Sequence, residues 1–534
     1  MPTRLRTFET RGPVDPARNY VVPRNEELAD LVQRIKDGRY IVIFAPRQTG
    51  KTTFFRLALD TLDETYLPIQ LNFEVYQNIS SEEFYACLKN DLRQEIENAY
   101  HSSQLQNDTA FYQFLENYSI TSHISMMHFF EQLGSYLKNR RLAIIIDEFD
   151  GIPTSVVGQF LHALRRIYLS KNPNRCPYSV GIIGVKSITQ LNYDRSISPF
   201  NIQDEFELPN FTLSQVRTLL GQYTEETGQA FAEGVIDNLH KQTGGQPFLV
   251  NRMAQILTME MKIGLEETIS NAHFQNAHQK ILNEANVHLS HLKTNIRRNP
   301  RFETILMEIC SYDAGIRFNI HNDFISELVT YGILKAGVDG YCEITNPIYQ
   351  YCIVQIFQPV FNGLEREYLP EDTDAGFLDY LTPDGKVNLR LLLENFRDFI
   401  ARAGYRILQV PKTPHEFVGQ YLLFAYLDQF VHQIRGFMYT EVRTGRGQMD
   451  LIIFHQGEKY IVETKIWEGK SKYSAGKHQL AAYLKLEAVT EGYYVVFDHR
   501  SKPQARNDTD LIEGKTIVSY CIPVVQKKPS GIKK

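Results

Sequence analysis

Cysteine is scarce in this chain, and what there is of it is scattered. The six residues, Cys87, Cys176, Cys310, Cys342, Cys352 and Cys521, form no C-x-x-C pair. This excludes a disulfide framework or a zinc ribbon and suits a reducing, cytoplasmic setting. The 15 histidines show no ligand spacing, so no zinc site is expected. No apolar run approaches the ~20 residues of a membrane span. Met1 to Thr10 is polar and charged, without the apolar core of a secretion signal, and no membrane partner is expected. Nor is one sign of charge in large excess. A net charge of −5 excludes a uniformly basic nucleic-acid coat but leaves room for a local basic groove. Apolar material is plentiful: 43% of the 534 residues are hydrophobic and 22% are charged. That length allows three or four domains, and the balance is that of folded ones.

The most informative stretch runs from Tyr40 to Thr53. Tyr40-Ile41-Val42-Ile43-Phe44 reads as a buried parallel strand. Ala45-Pro46-Arg47-Gln48-Thr49-Gly50 is a tight loop, and Lys51-Thr52-Thr53 opens a helix continued by Leu57, Ala58 and Leu59. Strand, loop, Gly-Lys-Thr and helix make the phosphate-binding loop of nucleoside triphosphatases. Its backbone N–H groups and the helix N-terminus would cradle phosphates. Lys51 would reach the β- and γ-phosphates, and the Thr52 hydroxyl would ligate Mg2+. The motif ordinarily opens with Gly; Ala45 stands there instead, and its small side chain should preserve nucleotide binding. A chance Gly-Lys-Thr would lack a partner element, and one is present. Leu142 to Ile146 is an apolar strand that delivers Asp147 and Glu148 at its end. Asp147 would hold Mg2+ through water, and Glu148 would orient or deprotonate the attacking water. ATP with Mg2+ is therefore the expected cofactor pair.

Around this pair the pattern is mixed α/β. Arg24 and Glu27 open a helix to about Lys36, Leu67 to Val75 reads as a strand, and about Ser80 to Leu137 is helical. The aromatics of that helical stretch fall at core spacing. Tyr178 to Val185 is a further buried strand, and Phe206 to Pro209 is the last strand of this region. Helices follow, broken at Gly244-Gly245-Gln246-Pro247, where the glycines end one helix and Pro247 suits the first turn of the next. Asp339-Gly340 sits between two short apolar strands, as in a hairpin.

Tyr20-Val21-Val22-Pro23-Arg24, the Ala45–Thr52 loop, Ile146-Asp147-Glu148 and Gly244-Gly245-Gln246-Pro247 together resemble the AAA-like ATPases of prokaryotes, of the archaeal and signal-transducing P-loop groups. The resemblance covers about 19–360. It implies a P-loop AAA+-like parallel sheet in 1–210, a helical lid in 211–284 and a winged-helix-like domain in 285–365. It places Arg24 near the adenine, although a plain amphipathic helix accounts for that residue equally well. It makes Ser187 a candidate sensor of the γ-phosphate and Arg195 a candidate arginine finger, and it allows a homo-oligomer that lends an arginine to its neighbour.

An acidic, Pro- and Gly-containing linker is expected over 366–385, then a different α/β pattern over 386–525 and a flexible tail over 526–534. Phe437 to Val442, Met449 to Phe454 and Tyr460 to Trp467 read as successive strands. Antiparallel pairing of the last two would bring Asp450 to Glu463, and Lys465 shares the face of Glu463. Two carboxylates beside a lysine suit a divalent metal next to a phosphate: Asp450, Glu463 and the Thr464 carbonyl as ligands, Lys465 positioning water or the scissile phosphate. Gln479, on a following helix, offers another polar contact. The competing reading is a set of surface charges paired across strands.

Gly-x-x-Asp followed by Glu463-Thr464-Lys465 and then Gln479-Leu480 resembles the PD-(D/E)XK nuclease superfamily over about 386–500. That implies a restriction-endonuclease-like α/β domain, Mg2+ or Mn2+, a DNA substrate, and Glu416 as an acid completing the site. Lys470, Lys472, Lys477, Arg500, Lys502 and Arg506 would either track a phosphate backbone or form a solvated face. The expected whole is a multidomain α/β protein: an ATPase and metal-dependent endonuclease, with defence or mobile-element biology as its setting by analogy. The alternatives are a signal-transducing ATPase switch whose nuclease-like domain only binds nucleic acid or a partner, and a DNA-translocating motor.

Overall fold

The computed structural model describes residues 6–44, 49–102, 109–137, 140–184, 204–284, 316–356, 380–407, 437–442, 449–455, 458–500 and 502–524, with shorter pieces within 292–309 and 419–434. Two compact units divide the chain. One comprises Met1–Gly228, Gly245–Gln255 and Thr330–Gly332, the other Gln229–Gly244, Ile256–Val329 and Ile333–Lys534.

The first unit is built on a parallel sheet. Strands β1 (Tyr40–Phe44), β2 (Tyr66–Asn72), β3 (Arg141–Asp147), β4 (Ser179–Gly184) and β5 (Asp204–Glu205) lie in the order β2-β3-β4-β1-β5. Alternation along each strand feeds two cores. Tyr40, Val42, Ile144 and Ile146 pack under α3 (Ser81–Ser102), α4 (Thr109–Asn117), α5 (His123–Tyr136) and α6 (Thr154–Tyr168). Ile41, Ile43 and Ile145 face α1 (Asn25–Lys36) and α2 (Lys51–Asp60). Both faces are covered, so β1 and the Leu142–Ile146 run of β3 are apolar, as expected of central parallel strands. Phe84, Tyr85, Phe111, Phe129 and Phe130 are all buried in the larger core. Helix α7 (Leu213–Thr227) and the helix Pro247–Gln255 complete this unit among the described residues. Gln246 opens the second of these, its Oε1 accepting from Leu249 N at 2.7 Å.

Two strand limits differ from the sequence pattern. β2 stops at Asn72 rather than Val75, because the Asn72 side chain accepts from Glu74 N at 2.8 Å and turns the chain into a short 3-10 helix. The last strand is Asp204–Glu205, paired with Ile41 and Val42, not Phe206–Pro209. Phe206 N still donates to Val42 O at 3.0 Å, but Pro209 has no N–H with which to extend the ladder.

The second unit contains a hairpin of β6 (Leu334–Ala336) and β7 (Cys342–Ile344), and a six-stranded mixed sheet. The sheet runs β12-β13-β11-β10-β9-β8, from β8 (Phe437–Val442), β9 (Met449–His455), β10 (Glu458–Ile466), β11 (Glu491–Asp498), β12 (Arg506–Ile512) and β13 (Lys515–Pro523). The helix Lys470–Leu486 covers one face through Leu480, Ala481 and Leu484, which meet Ile452, Ile461, Val496 and Ile517. On the other face Tyr520 OH donates to Arg390 O of the helix Leu389–Ile407 at 3.3 Å. Among the described residues no helix is long and apolar enough to cross a membrane.

Two outcomes follow from the packing. Gly245 has φ +68°, and a Cβ there would lie 1.9 Å from Phe211 O. Gly245→Ala should therefore cost at least ~2 kcal/mol in denaturant unfolding. Burial also pushes the His278 imidazole down to about 3. The unfolded chain, titrating near 6.5, then binds the extra proton. The neutral ring's contribution is complete above pH ~6.5 and is lost below it at up to ~1.4 kcal/mol per pH unit. Unfolding measured from pH 7 down to 4.5 should show a shallower acid slope in His278→Phe than in the parent.

Candidate functional site

The order of the first sheet sets its chemistry. β1 lies beside β4, and β4 beside β3, so the ends of β1 and β3 emerge on the same edge. That edge is where open parallel sheets bind ligands. Ala45, Pro46, Arg47 and Gln48, and beyond β4 Ser187 and Arg195, lie outside the described residues. Thr49 is buried, and Gly50, at φ +80°, turns the chain into α2. Lys51 is the first residue of that helix and is only 7% exposed. The next residue makes the decisive contact: Thr52 Oγ1 donates to Asp147 Oδ2 at 2.8 Å. Asp147 is buried, and its other oxygen accepts from Glu148 N at 2.9 Å. Glu148 holds a left-handed backbone at φ +50°, a conformation concentrated at functional sites. A hydroxyl and a buried carboxylate, both hard oxygen donors, thus sit within hydrogen-bond reach at a helix N-terminus. This donor set fits Mg2+ beside a phosphate.

A cleft opens beside α2. Its walls include Arg24, Thr49, Thr53, Phe54, Phe211 and Asn251. Arg24 is buried, donates from Nη1 to Pro209 O at 2.9 Å and stacks 4.6 Å over the Phe211 ring. Burial draws its guanidinium down to about 10, against the opposing pull of Glu27. Thr53 Oγ1 accepts from Val14 N at 3.0 Å, so the N-terminal segment is tied to the first turn of α2. Asn251 Nδ2 donates to Pro247 O at 2.8 Å, while its Oδ1 is buried with no donor among the described residues.

The second unit carries the other candidate site. Asp450 is registered directly opposite Glu463 in the antiparallel pair β9–β10. The side chain of Asp450 and the whole of Glu416 lie outside the described residues. Glu463 is fully buried, and Lys465 Nζ lies 3.5 Å from its Oε1. Thr464, next along the strand, points to the opposite face and offers this side only its backbone. Gln479 is exposed on its helix. Glu441 is registered opposite Asp450, so three acidic positions cross β8, β9 and β10 in one row. The sequence pattern did not single out Glu441, because the signal is the strand register itself. The basic residues around this sheet are largely engaged. Lys477 is buried and paired with Asp510 at 2.6 Å and Asp508 at 3.4 Å. Arg500 is paired with Asp498 at 2.7 Å and lies 4.6 Å over Trp467, and Lys472 is paired with Glu468. Among the described residues no group of three or more His, Cys, Asp or Glu could hold a metal ion.

Residues 10–352 match the family model of the AAA-like domain. The chain belongs to this family. Residues 388–501 match a second model, a domain of unknown function (DUF8371). No curated protein matches the sequence. Among solved structures it is similar to the Walker-type ATPase of Pyrococcus abyssi, at 15% identity and TM-score 0.47, over 65% of this chain and 99% of that one. It is also similar to the Aeropyrum pernix Orc1 protein in complex with DNA (13%, TM-score 0.30, 65% and 94%) and to Thermotoga maritima RuvB (13%, TM-score 0.33, 62% and 94%).

Within the AAA-like domain, Asn251 and Phe211 were not legible as cleft residues. They come from elements far along the sequence, and the Gly244–Pro247 junction that precedes Asn251 marks a helix break, with no sign of a cleft. In the second unit, a buried carboxylate beside one lysine makes a sharp expectation. Lys465→Met strips the cation from a fully buried Glu463 and should destabilise the chain by ~3–5 kcal/mol. Adding Glu463→Gln should recover much of that loss, so a double-mutant cycle in urea should give a strongly non-additive pair.

Proposed function

We propose that the protein binds and hydrolyses ATP in its AAA-like domain and cleaves DNA, metal-dependently, with its C-terminal sheet domain. The Thr52–Asp147 contact supports the first part. Lys51 and the loop backbone around Thr49 and Gly50 hold the phosphates, and Thr52 and Asp147 hold Mg2+. The cation supplies positive charge against the β- and γ-phosphates. Glu148 orients the attacking water or takes its proton, and Ser187 senses the γ-phosphate. The cleft receives the base: Arg24 and Phe211 form its wall, and the Asn251 Oδ1 acceptor suits the exocyclic amino group of adenine rather than the oxygen of guanine. Residues 211–284 act as a lid and 285–365 as a winged helix that senses DNA or a partner, in a subunit that works as a homo-oligomer in the cytoplasm.

The observation that carries the nuclease is the register of Asp450 against buried Glu463, with Lys465 3.5 Å from that carboxylate. Two facing carboxyl positions and a lysine suit a divalent cation next to a phosphodiester, and such a cation supplies Lewis acidity and a water of lowered pKa. Asp450, Glu463 and the Thr464 carbonyl hold it. Lys465 positions the water or the scissile phosphate, with Glu416 and Gln479 as further polar groups at the site. One observation favours the second reading, a domain that binds without cutting. Lys477, Lys472 and Arg500 are occupied by acids of the same unit, which leaves less free positive charge for a phosphate backbone.

The deciding assay is cleavage of linear, circular and single-stranded DNA with Mg2+ or Mn2+, with and without ATP. Cutting that disappears in Asp450→Ala, and that ATP alters only when Lys51 is intact, is the expected result. ATP binding without cutting under any condition would shift the assignment to the binding-only switch. Lys51→Ala should weaken ATP binding at least tenfold and remove the rise in Tm that ATP produces.

A further inference from the structure

The first unit has a further surface depression, at the end of the sheet remote from Asp147. It lies against the C-terminal half of α6 and the segment leading into β4, is half open to solvent, and has a volume of about 560 Å3. That is the scale of a small-molecule site. Its lining is cationic: Arg165 and Arg166 from the last turn of α6, and Arg175 from the following segment. The one carboxylate at its wall, Glu131, is engaged by His128 Nδ1 at 3.1 Å. Asn172, Asn174 and Ser170 add neutral donors, and Met127, Ile167 and Cys176 supply apolar surface.

The three arginines are not equivalent. Arg175 is structural: its Nη2 donates to Gly38 O and to Tyr178 O, each at 2.7 Å, and its Nη1 to Tyr168 O at 3.2 Å. Arg165 makes no such backbone bond among the described residues; its Nε, like that of Arg175, is buried without an acceptor. Arg166 is exposed beside it, so two guanidinium forks stand at one wall with no acid between them. Such forks match phosphate oxygens bidentately. Polar amides and an apolar patch within the same volume leave room for more than a bare phosphate.

We infer that this cavity binds a phosphorylated small molecule of nucleotide size, at a site separate from the phosphate loop. Arg165 and Arg166 grip the phosphate, and the asparagines and Met127 side hold the remainder. The inference does not depend on the nuclease or ATPase readings, and the test keeps them apart.

Titration calorimetry on the full chain carrying Lys51→Ala, which disables the phosphate loop, would use pyrophosphate, AMP and the dinucleotide pApA as probes. At least one should bind, and Arg165→Glu with Arg166→Glu should weaken it at least about tenfold. Asn172→Trp, at an exposed loop position that narrows the cavity, should weaken it as well. Binding of pyrophosphate equal to that of the nucleotides supports recognition through phosphate alone, and tighter nucleotide binding supports recognition of the base too. Unchanged Tm in each variant keeps misfolding from imitating the result. No binding of any probe at millimolar concentration, or binding indifferent to the arginine and Asn172 substitutions, would overturn the proposal.

Discussion

The contact on which the first unit's chemistry rests is the hydrogen bond from Thr52 to Asp147. It joins the first turn of α2 to the end of β3, 95 residues away in the chain. It forms because β1 and β3 flank β4 in parallel, so both strand ends arrive on one edge of the sheet. The same contact keeps a buried carboxylate satisfied. Asp147 Oδ1 takes the Glu148 N–H and Oδ2 takes the Thr52 hydroxyl, so neither oxygen is left without a donor. The same arrangement leaves two oxygen donors at a helix N-terminus, whose unpaired N–H groups and dipole favour a phosphate.

The second unit solves a different electrostatic problem. Glu463 is fully buried on a strand of a sheet otherwise packed with Ile452, Ile461, Val496 and Ile517. A carboxylate in such a place is tolerated only with compensation, and Lys465 Nζ provides part of it from 3.5 Å. The basic residues further out follow another logic. Lys477 and Arg500 lie against Asp510 and Asp498 and over Tyr473 and Trp467, so their charges knit the sheet's own β11–β13 region together. Counting lysines and arginines along the sequence overstates the positive surface that this domain presents.

Much of this was legible beforehand. The run Tyr40–Phe44, the Gly50-Lys51-Thr52 turn and the apolar strand ending at Asp147 are contiguous signals, each set by local periodicity and turn chemistry. Glu463 and Lys465 were assigned one face by the two-residue repeat of a strand, and the antiparallel pairing with Asp450 followed from a short connection. Less legible were the strand limits at Asn72 and Asp204, where a side-chain turn and a proline override the apolar pattern. The strands β11, β12 and β13 carried no chemical motif and were not separated from the basic residues around them.

The sequence by itself marked many of the segments that become strands and helices and singled out Lys51, Thr52, Asp147, Asp450, Glu463 and Lys465 as candidates, because those signals are local in spacing. Tertiary structure decided which of these groups meet. It set Thr52 against Asp147, Arg24 against Phe211, Glu441 in register with Asp450, and Arg165 and Arg175 around one cavity. It also decided that Lys477 is spent on internal acids. Such meetings depend on strand order, register and burial across long sequence separations, and no short-range pattern encodes them.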